Sequence, residues 1–126
     1  LVVPALNGDP GIYSARFAGA KATDGENLEK LLQRMENLKN LERRAFFVCA
    51  MTIVRHASDP LPIIAIGKWE GGITQAPMGQ NGFGYDPVFF DKFTSKTAGQ
   101  MSREEKFILS HRGKALKLIL ENLENL

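Results

Sequence analysis

The chain has 126 residues, 44% apolar and 24% charged, so we predict one globular domain over residues 1–126. Its net charge of +2 is too small to capture DNA or RNA by electrostatics alone, and no apolar run approaches the ~20 residues of a membrane span. The single cysteine, Cys49, excludes an internal disulfide and favours a reducing, cytoplasmic setting.

The first residues, "LVVPALNGDPG", begin without Met and pass from an apolar triplet, typical of a strand end, into a loop rich in Pro and Gly. We therefore expect sequence upstream of Leu1. The following loop, "GIYSARFAG", carries Tyr13, Ser14 and Arg16 in a position where α/β proteins place ligand contacts. A turn held by Ser14, with Arg16 at the surface, is the simpler interpretation.

A helix is predicted over residues 24–38. Apolar residues recur there at spacings of three and four, namely Leu28, Leu31, Leu32, Met35 and Leu38. Thr23 and Glu26 fit a capping box, in which each side chain accepts a hydrogen bond from a backbone N–H at the helix start. We expect this helix to pack on a sheet.

Two long antiparallel strands are predicted next. "RRAFFVCAMTIVRH" is apolar on both alternations, which predicts a strand covered on both faces. "ASDPLP" forms a turn, and "IIAIGKWEGGIT" is the returning strand, in which Lys68 and Trp69 belong to strand packing. His56 has no second His or Cys nearby, so we interpret it as a surface residue and expect no zinc site.

The segment "GQNGFGYDPVFF" permits two interpretations. Asn81-Gly82 favours a type I′ hairpin turn, which would make the stretch a glycine-rich connection and nothing more. In the strand predicted to follow, Phe83 and Tyr85 share one face and Gly84 clears space on the other. That arrangement would form a platform for a planar ring.

The segment "SREEKFILSHRG" begins a helix with a capping box, Ser102 with Glu105, and is interrupted before a second helical run. The apolar residues of the second run are Leu116, Ile119, Leu120 and Leu123. Lys106, His111 and Arg112 surround the break. One interpretation is a solvent-exposed helix face, with Ser110 capping the second helix. The other is a ligand-binding cluster, in which the Arg112 guanidinium and the His111 ring donate hydrogen bonds and Lys106 supplies a positive charge for phosphate.

Four segments, "PGIYSARFAG", "ATDGENLEKLL", "QNGFGYDPVFF" and "SREEKFILSHRGKAL", resemble the bacterial branch of the inosine triphosphate pyrophosphatase family, also called XTP/dITP diphosphatases. The resemblance implies a mixed α/β fold with an elongated central mixed β-sheet flanked by helices, of which this chain is the C-terminal portion. It also implies hydrolysis of ITP, dITP and XTP to the monophosphate and pyrophosphate, which removes deaminated purines from the nucleotide pool. Mg²⁺ and a homodimer are implied as cofactor and assembly.

The resemblance assigns substrate binding to seven residues, with the first four lining the base pocket: Phe83, Gly84, Tyr85, Asp86, Lys106, His111 and Arg112. The family's glycine-rich phosphate segment, its metal-binding Glu and its Asp-Ser-Gly run are absent. The catalytic Asp is expected immediately upstream of Leu1, so no catalytic or metal-binding residue is assigned within this chain. Two alternatives are a fragment that binds purine nucleotide without hydrolysing it, and a scaffold that only dimerises.

Base selection would follow from hydrogen-bond donors facing purine position six. Inosine and xanthine carry an oxygen there and adenine an amino group, so donors from Arg112, His111 or backbone N–H groups near Gly84 would match the keto bases alone. Mismatches of this kind discriminate by up to about 10⁴-fold. Lys106 would be a charge partner for the phosphates, which strengthens the grip on an in-line displacement.

Overall fold

A computed structural model describes residues 1–124, and the last two residues of the predicted helical run, Asn125 and Leu126, lie outside it. The strands are β1 (Arg44–Ile53), β2 (Ile63–Ile73), β3 (Phe89–Asp91) and β4 (Lys96–Thr97). The α-helices are α1 (Asp24–Arg34), α2 (Arg103–Leu109) and α3 (His111–Glu124). This arrangement confirms the mixed α/β class. No helix within residues 1–124 is long and apolar enough to cross a membrane.

The described strands form one antiparallel sheet in the order β1-β2-β3-β4. β1 and β2 pair along their whole length, from Arg44 opposite Gly72 to Ile53 opposite Ile63, which confirms the predicted long pair. Val2 bridges to Phe46 at the other side of β1, so the apolar start of the chain lies along that strand. The turn between the long strands leaves the predicted surface residue His56 exposed.

The sheet is covered on one face only within the described residues. Helix α3 packs against β1 and β2, where Ala65 and Trp69 are buried and Phe47 is half-buried. On the opposite face Val48 and Ile66 are 44% and 61% exposed. Residues 1–124 thus cover one face of β1 where two covered faces were predicted, because apolar side chains on both alternations do not reveal how many layers the chain itself supplies.

The core lies between the covered face of the sheet, α1 and the segments that connect the shorter strands. Trp69 and Phe89 meet edge to face with their ring centroids 4.8 Å apart, and Phe47 adds a third ring 4.5 Å from Phe89. Leu31 and Met35 of the α1 region are fully buried against this group. In α3 the buried side chains are Ala115 and Ile119, whereas Leu120, which was assigned to the apolar stripe, is exposed.

Helix α1 begins as predicted and ends earlier than predicted. The Thr23 hydroxyl accepts a hydrogen bond from the Glu26 N–H, and the Glu26 carboxylate accepts one from the Thr23 N–H, which confirms the capping box. The helix stops at Arg34 rather than at residue 38. The buried guanidinium of Arg43 donates to the carbonyls of Met35 and Leu38 and so holds this backbone in a non-helical form.

The connection between β2 and β3 spans residues 74–88, so the predicted two-residue hairpin at Asn81-Gly82 is wrong. Asn81 binds instead to the backbone of Gly99 and Met101, and such tertiary partners are invisible to a local turn rule. The predicted strand over residues 83–90 shrinks to β3, and residues 86–88 form a 3₁₀ turn.

Phe83 and Tyr85 therefore do not share one face of a strand. Gly84 between them adopts φ +60°, and Tyr85 has a ψ of 4°, both incompatible with extended backbone. As a result the Phe83 ring is 57% exposed, whereas Tyr85 is buried.

Candidate functional site

All seven residues predicted to bind substrate line one cleft of about 290 Å³. The Phe83–Asp86 loop forms one wall, and Lys106, His111 and Arg112 come from the α2–α3 junction. The facing wall is formed by Ser14, Ala15, Asp24 and Asn27. The structure therefore brings together two segments that sequence analysis singled out separately.

A buried ion pair anchors the loop. Asp86 is 4% exposed, and its carboxylate pairs with the Lys106 ammonium and accepts a hydrogen bond from the Phe83 N–H at 3.0 Å. A buried carboxylate without such partners would be strongly destabilising. Asp86 thus fixes the backbone of the loop and the position of the Lys106 charge together.

Two cations flank the exposed ring of Phe83. The Lys106 ammonium lies 4.7 Å and the Arg112 guanidinium 5.0 Å from the ring centroid, both within cation–π range. Positive charge and an accessible aromatic ring are therefore concentrated at one place. This combination suits a ligand that carries both a planar ring and negative charge.

His111 forms the floor of the cleft. Its imidazole stacks on Phe47 with centroids 4.7 Å apart and an interplanar angle of 14°. Burial, followed by the nearby charges of Arg112, the Leu1 amino group and Lys106, lowers the pKa of His111 to about 4, so the ring is neutral at pH 7. Its Nδ1 is buried with no hydrogen-bond partner, whereas buried polar atoms almost always have one.

The break between α2 and α3 presents these side chains to the cleft. Ser110 has an extended backbone, and its hydroxyl accepts a hydrogen bond from the Gly113 N–H at 3.0 Å, which confirms Ser110 as the cap of the second helix. A Cβ at Gly113 would overlap the Phe107 carbonyl, so the close approach of the two helices requires glycine. The capping interpretation and the ligand-cluster interpretation are therefore compatible.

The facing wall contains residues that sequence analysis did not assign to a site. The Gly84 N–H donates to Asp24 at 2.9 Å, and the Tyr85 hydroxyl donates to the Ser14 carbonyl at 2.7 Å. Burial, and then the charge of Asp24, raise the pKa of Tyr85 to about 12. Asn27 also lines the cleft. The sequence around Asn27 predicted only a position in the helix, because the backbone groups that Asn27 binds, at Ala15 and Ala18, lie in another segment.

Two of the three residues noted in the loop before α1 stand apart from the cleft. Ser14 is among its lining residues, whereas the Arg16 guanidinium stacks over the exposed Tyr13 ring at 5.0 Å. Within residues 1–124 no three His, Cys, Asp or Glu side chains are grouped to hold a metal ion.

A concave cleft lined by aromatic rings and a few converging charged groups is typical of a small-molecule binding site. The Ham1 family model matches residues 1–122, and the chain belongs to this family. It is 51% identical over 125 residues to the dITP/XTP pyrophosphatases of Escherichia coli (strain K12) and Shigella flexneri. These matches cover 99% of this chain and 64% of each relative, so the chain spans less than two thirds of their length. The resemblance drawn from the motifs is confirmed.

Solved structures confirm the predicted fold. A Ham1 protein from Coxiella burnetii superposes with a TM-score of 0.93 at 40% identity, covering 99% of this chain and 64% of that one. The Ham1 protein of Staphylococcus aureus gives a TM-score of 0.91 at 43% identity, covering 98% of this chain and 62% of that one.

Proposed function

We propose that this chain forms the base-binding and phosphate-binding part of a nucleoside triphosphate pyrophosphohydrolase that converts ITP, dITP and XTP to the monophosphate and pyrophosphate. The main support for this proposal is that all seven residues predicted to bind substrate line one cleft. The relatives' name, dITP/XTP pyrophosphatase, supports the same substrates. Removal of deaminated purines from the cytoplasmic nucleotide pool is the corresponding role.

In this proposal the base stacks on the exposed Phe83 ring. The Arg112 guanidinium beside the ring, and a neutral His111 that can donate from one ring nitrogen, supply donors for the keto oxygen. The Gly84 N–H already donates to Asp24, so it is not among the free donors. Adenine would place an amino group against these donors and leave them unmatched, which is the basis for its rejection.

Lys106 serves the phosphates in this proposal. Its ammonium is held by Asp86 and its side chain is 21% exposed, so it presents a fixed positive charge to an anionic ligand in the cleft. Such a preorganised charge stabilises the negative charge that develops during phosphoryl transfer. We propose Mg²⁺ as the cofactor from the family resemblance.

The water-activating carboxylate is proposed to precede Leu1. Leu1 lines the same cleft as the seven predicted residues, so an Asp-Ser-Gly run that leads into Leu1 would bring its carboxylate close to the bound nucleotide. General-base removal of a proton from the attacking water would be its role.

The test combines binding and turnover. ITP and ATP are titrated into the chain by calorimetry, and pyrophosphate release is measured with the same nucleotides. Arg112→Ala should narrow the ratio of ITP to ATP affinity, while Arg16→Ala, outside the cleft, serves as the control. Equal losses for both nucleotides would make Arg112 a phosphate or structural residue. Selective binding without pyrophosphate release, by a chain that also carries the residues preceding Leu1, would support the alternative of a non-hydrolysing binder.

We also propose a homodimer formed through the open sheet face, defined as Val48, Ala50, Ile64 and Ile66. The β1–β2 register places these residues on one face, and Ile64 and Ile66 are 59% and 61% exposed. Contiguous exposed apolar surface of this kind marks an interface. Ile66→Asp should shift sedimentation from dimer to monomer, whereas a wild-type monomer at every concentration would overturn this part of the proposal.

A further inference from the structure

Across the cleft, one hydrogen bond joins the Phe83–Asp86 loop to the start of α1, and a second joins it to Ser14 in the segment before that helix. One runs from the Gly84 N–H to Asp24 Oδ2, and the other from the Tyr85 hydroxyl to the Ser14 carbonyl. Their partners lie 60 and 71 positions apart in sequence. These bonds therefore do not stabilise a local turn. They fix the distance between the two walls of the cleft.

We propose that Asp24 is a positioning residue, whose carboxylate holds the Gly84 amide and thereby sets the Phe83 ring at the position where it selects the purine base. The inference rests on the proposed function, because it concerns the same cleft. Asp24 acts through the loop and is not itself required to touch the nucleotide.

The loop requires this tether, the hydrogen bond to Asp24, because its glycine-rich backbone can adopt many conformations. Gly79, Gly82 and Gly84 have φ values of +90°, +75° and +60°, and each glycine has more conformations to lose on ordering than any other residue. Asn81 is tied to the Gly99 carbonyl on one side, and Asp86 to Lys106 on the other. Gly84 lies between these two anchors, and the Asp24 carboxylate holds the Gly84 amide, which neither anchor binds.

The structure of α1 does not itself require the Asp24 side chain. The capping box that starts the helix is formed by Thr23 and Glu26, and both of its hydrogen bonds are made without Asp24. Asp24 and Glu26 are exposed acids of the same first turn, so both interact with the helix dipole. Only Asp24 reaches across the cleft, which makes Glu26→Ala a matched control for Asp24→Ala.

The experiment compares Asp24→Ala, Asp24→Asn and Glu26→Ala in the full chain. Hydrogen exchange of the Gly84 amide, followed by NMR without nucleotide, reports the tether, and calorimetric titration gives the ratio of ITP to ATP affinity. Asp24→Ala should speed exchange of the Gly84 amide about ten-fold and lower the ratio of ITP to ATP affinity about five-fold, since a hydrogen bond to a charged group is lost. Asp24→Asn should keep the wild-type exchange rate and affinity ratio, because its amide oxygen can accept the same hydrogen bond. Glu26→Ala should change neither the exchange rate nor the affinity ratio.

Three outcomes would overturn the inference. Faster exchange of the Gly84 amide in Asp24→Ala, with an unchanged ratio of ITP to ATP affinity, would show that the hydrogen bond is structural and does not affect base selection. A gain in ITP affinity would show that Asp24 competes with the ligand for the Gly84 amide. A loss of selectivity in Asp24→Asn equal to that in Asp24→Ala would assign the effect to charge. Equal binding of ITP and ATP by the unmodified chain would instead refute the proposed function, while the exchange measurement would still report on the tether.

Discussion

Acidification tests the burial of His111 directly. Its pKa falls from 6.5 to about 4 on folding, chiefly through burial. Below pH 6.5 the unfolded chain therefore binds a proton that the folded chain does not, and stability falls as the pH drops from 6.5 towards 4. A shift of this size corresponds to at most about 3 kcal/mol, and because the ring is only half-buried we expect roughly half of that.

The assay is urea unfolding at pH 7.5 and pH 4.5, with wild type and His111→Phe measured side by side. Phenylalanine keeps a ring to stack on Phe47, cannot titrate, and removes the unpaired buried Nδ1. The variant should lose about 1.5 kcal/mol less stability between the two pH values than wild type does. His56→Gln, at an exposed turn, controls for the removal of an imidazole. Identical losses in wild type and His111→Phe would refute the reasoning.

Three further substitutions test the packing that supports the cleft. Arg43→Ala should lower the free energy of unfolding by about 3–5 kcal/mol in urea titrations, because four backbone carbonyls lose the guanidinium donor and two of these hydrogen bonds are buried. Gly67→Ala should lower the melting temperature sharply, since its Cβ would overlap a carbonyl of α3, whereas Gly25→Ala has room and should not. Trp69→Phe should cost about 1–3 kcal/mol in the same urea assay, because the buried carboxylate of Asp91 loses the indole N–H at 3.1 Å.

Local sequence rules succeeded where the interactions themselves are local. The capping boxes at Thr23 and Ser102 join residues three positions apart, and both are present in the structure. The long strands were predicted because β-branched and aromatic runs flank a turn with two prolines, and they pair over their full length. The cluster at Lys106, His111 and Arg112 was visible because these residues surround one helix break.

The same rules failed where distant partners decide the conformation. Asn81-Gly82 has the composition of a hairpin turn, yet Asn81 forms hydrogen bonds to Gly99 and Met101 and the connection is fifteen residues long. Helix α1 ends early because Arg43, outside the helix, binds the carbonyls that follow it. In both cases tertiary hydrogen bonds replace those that the local pattern predicts.

By itself the sequence determined the family, the order of helices and strands, and the residue types that could bind a purine nucleotide. The tertiary structure alone decided that seven residues from two segments share one cleft, that Phe83 is exposed while Tyr85 is buried, and that Asp24 reaches Gly84. The physical reason is distance along the chain. A cap or an amphipathic stripe arises within a few residues, whereas a contact between positions 24 and 84 exists only after the sheet and helices have packed.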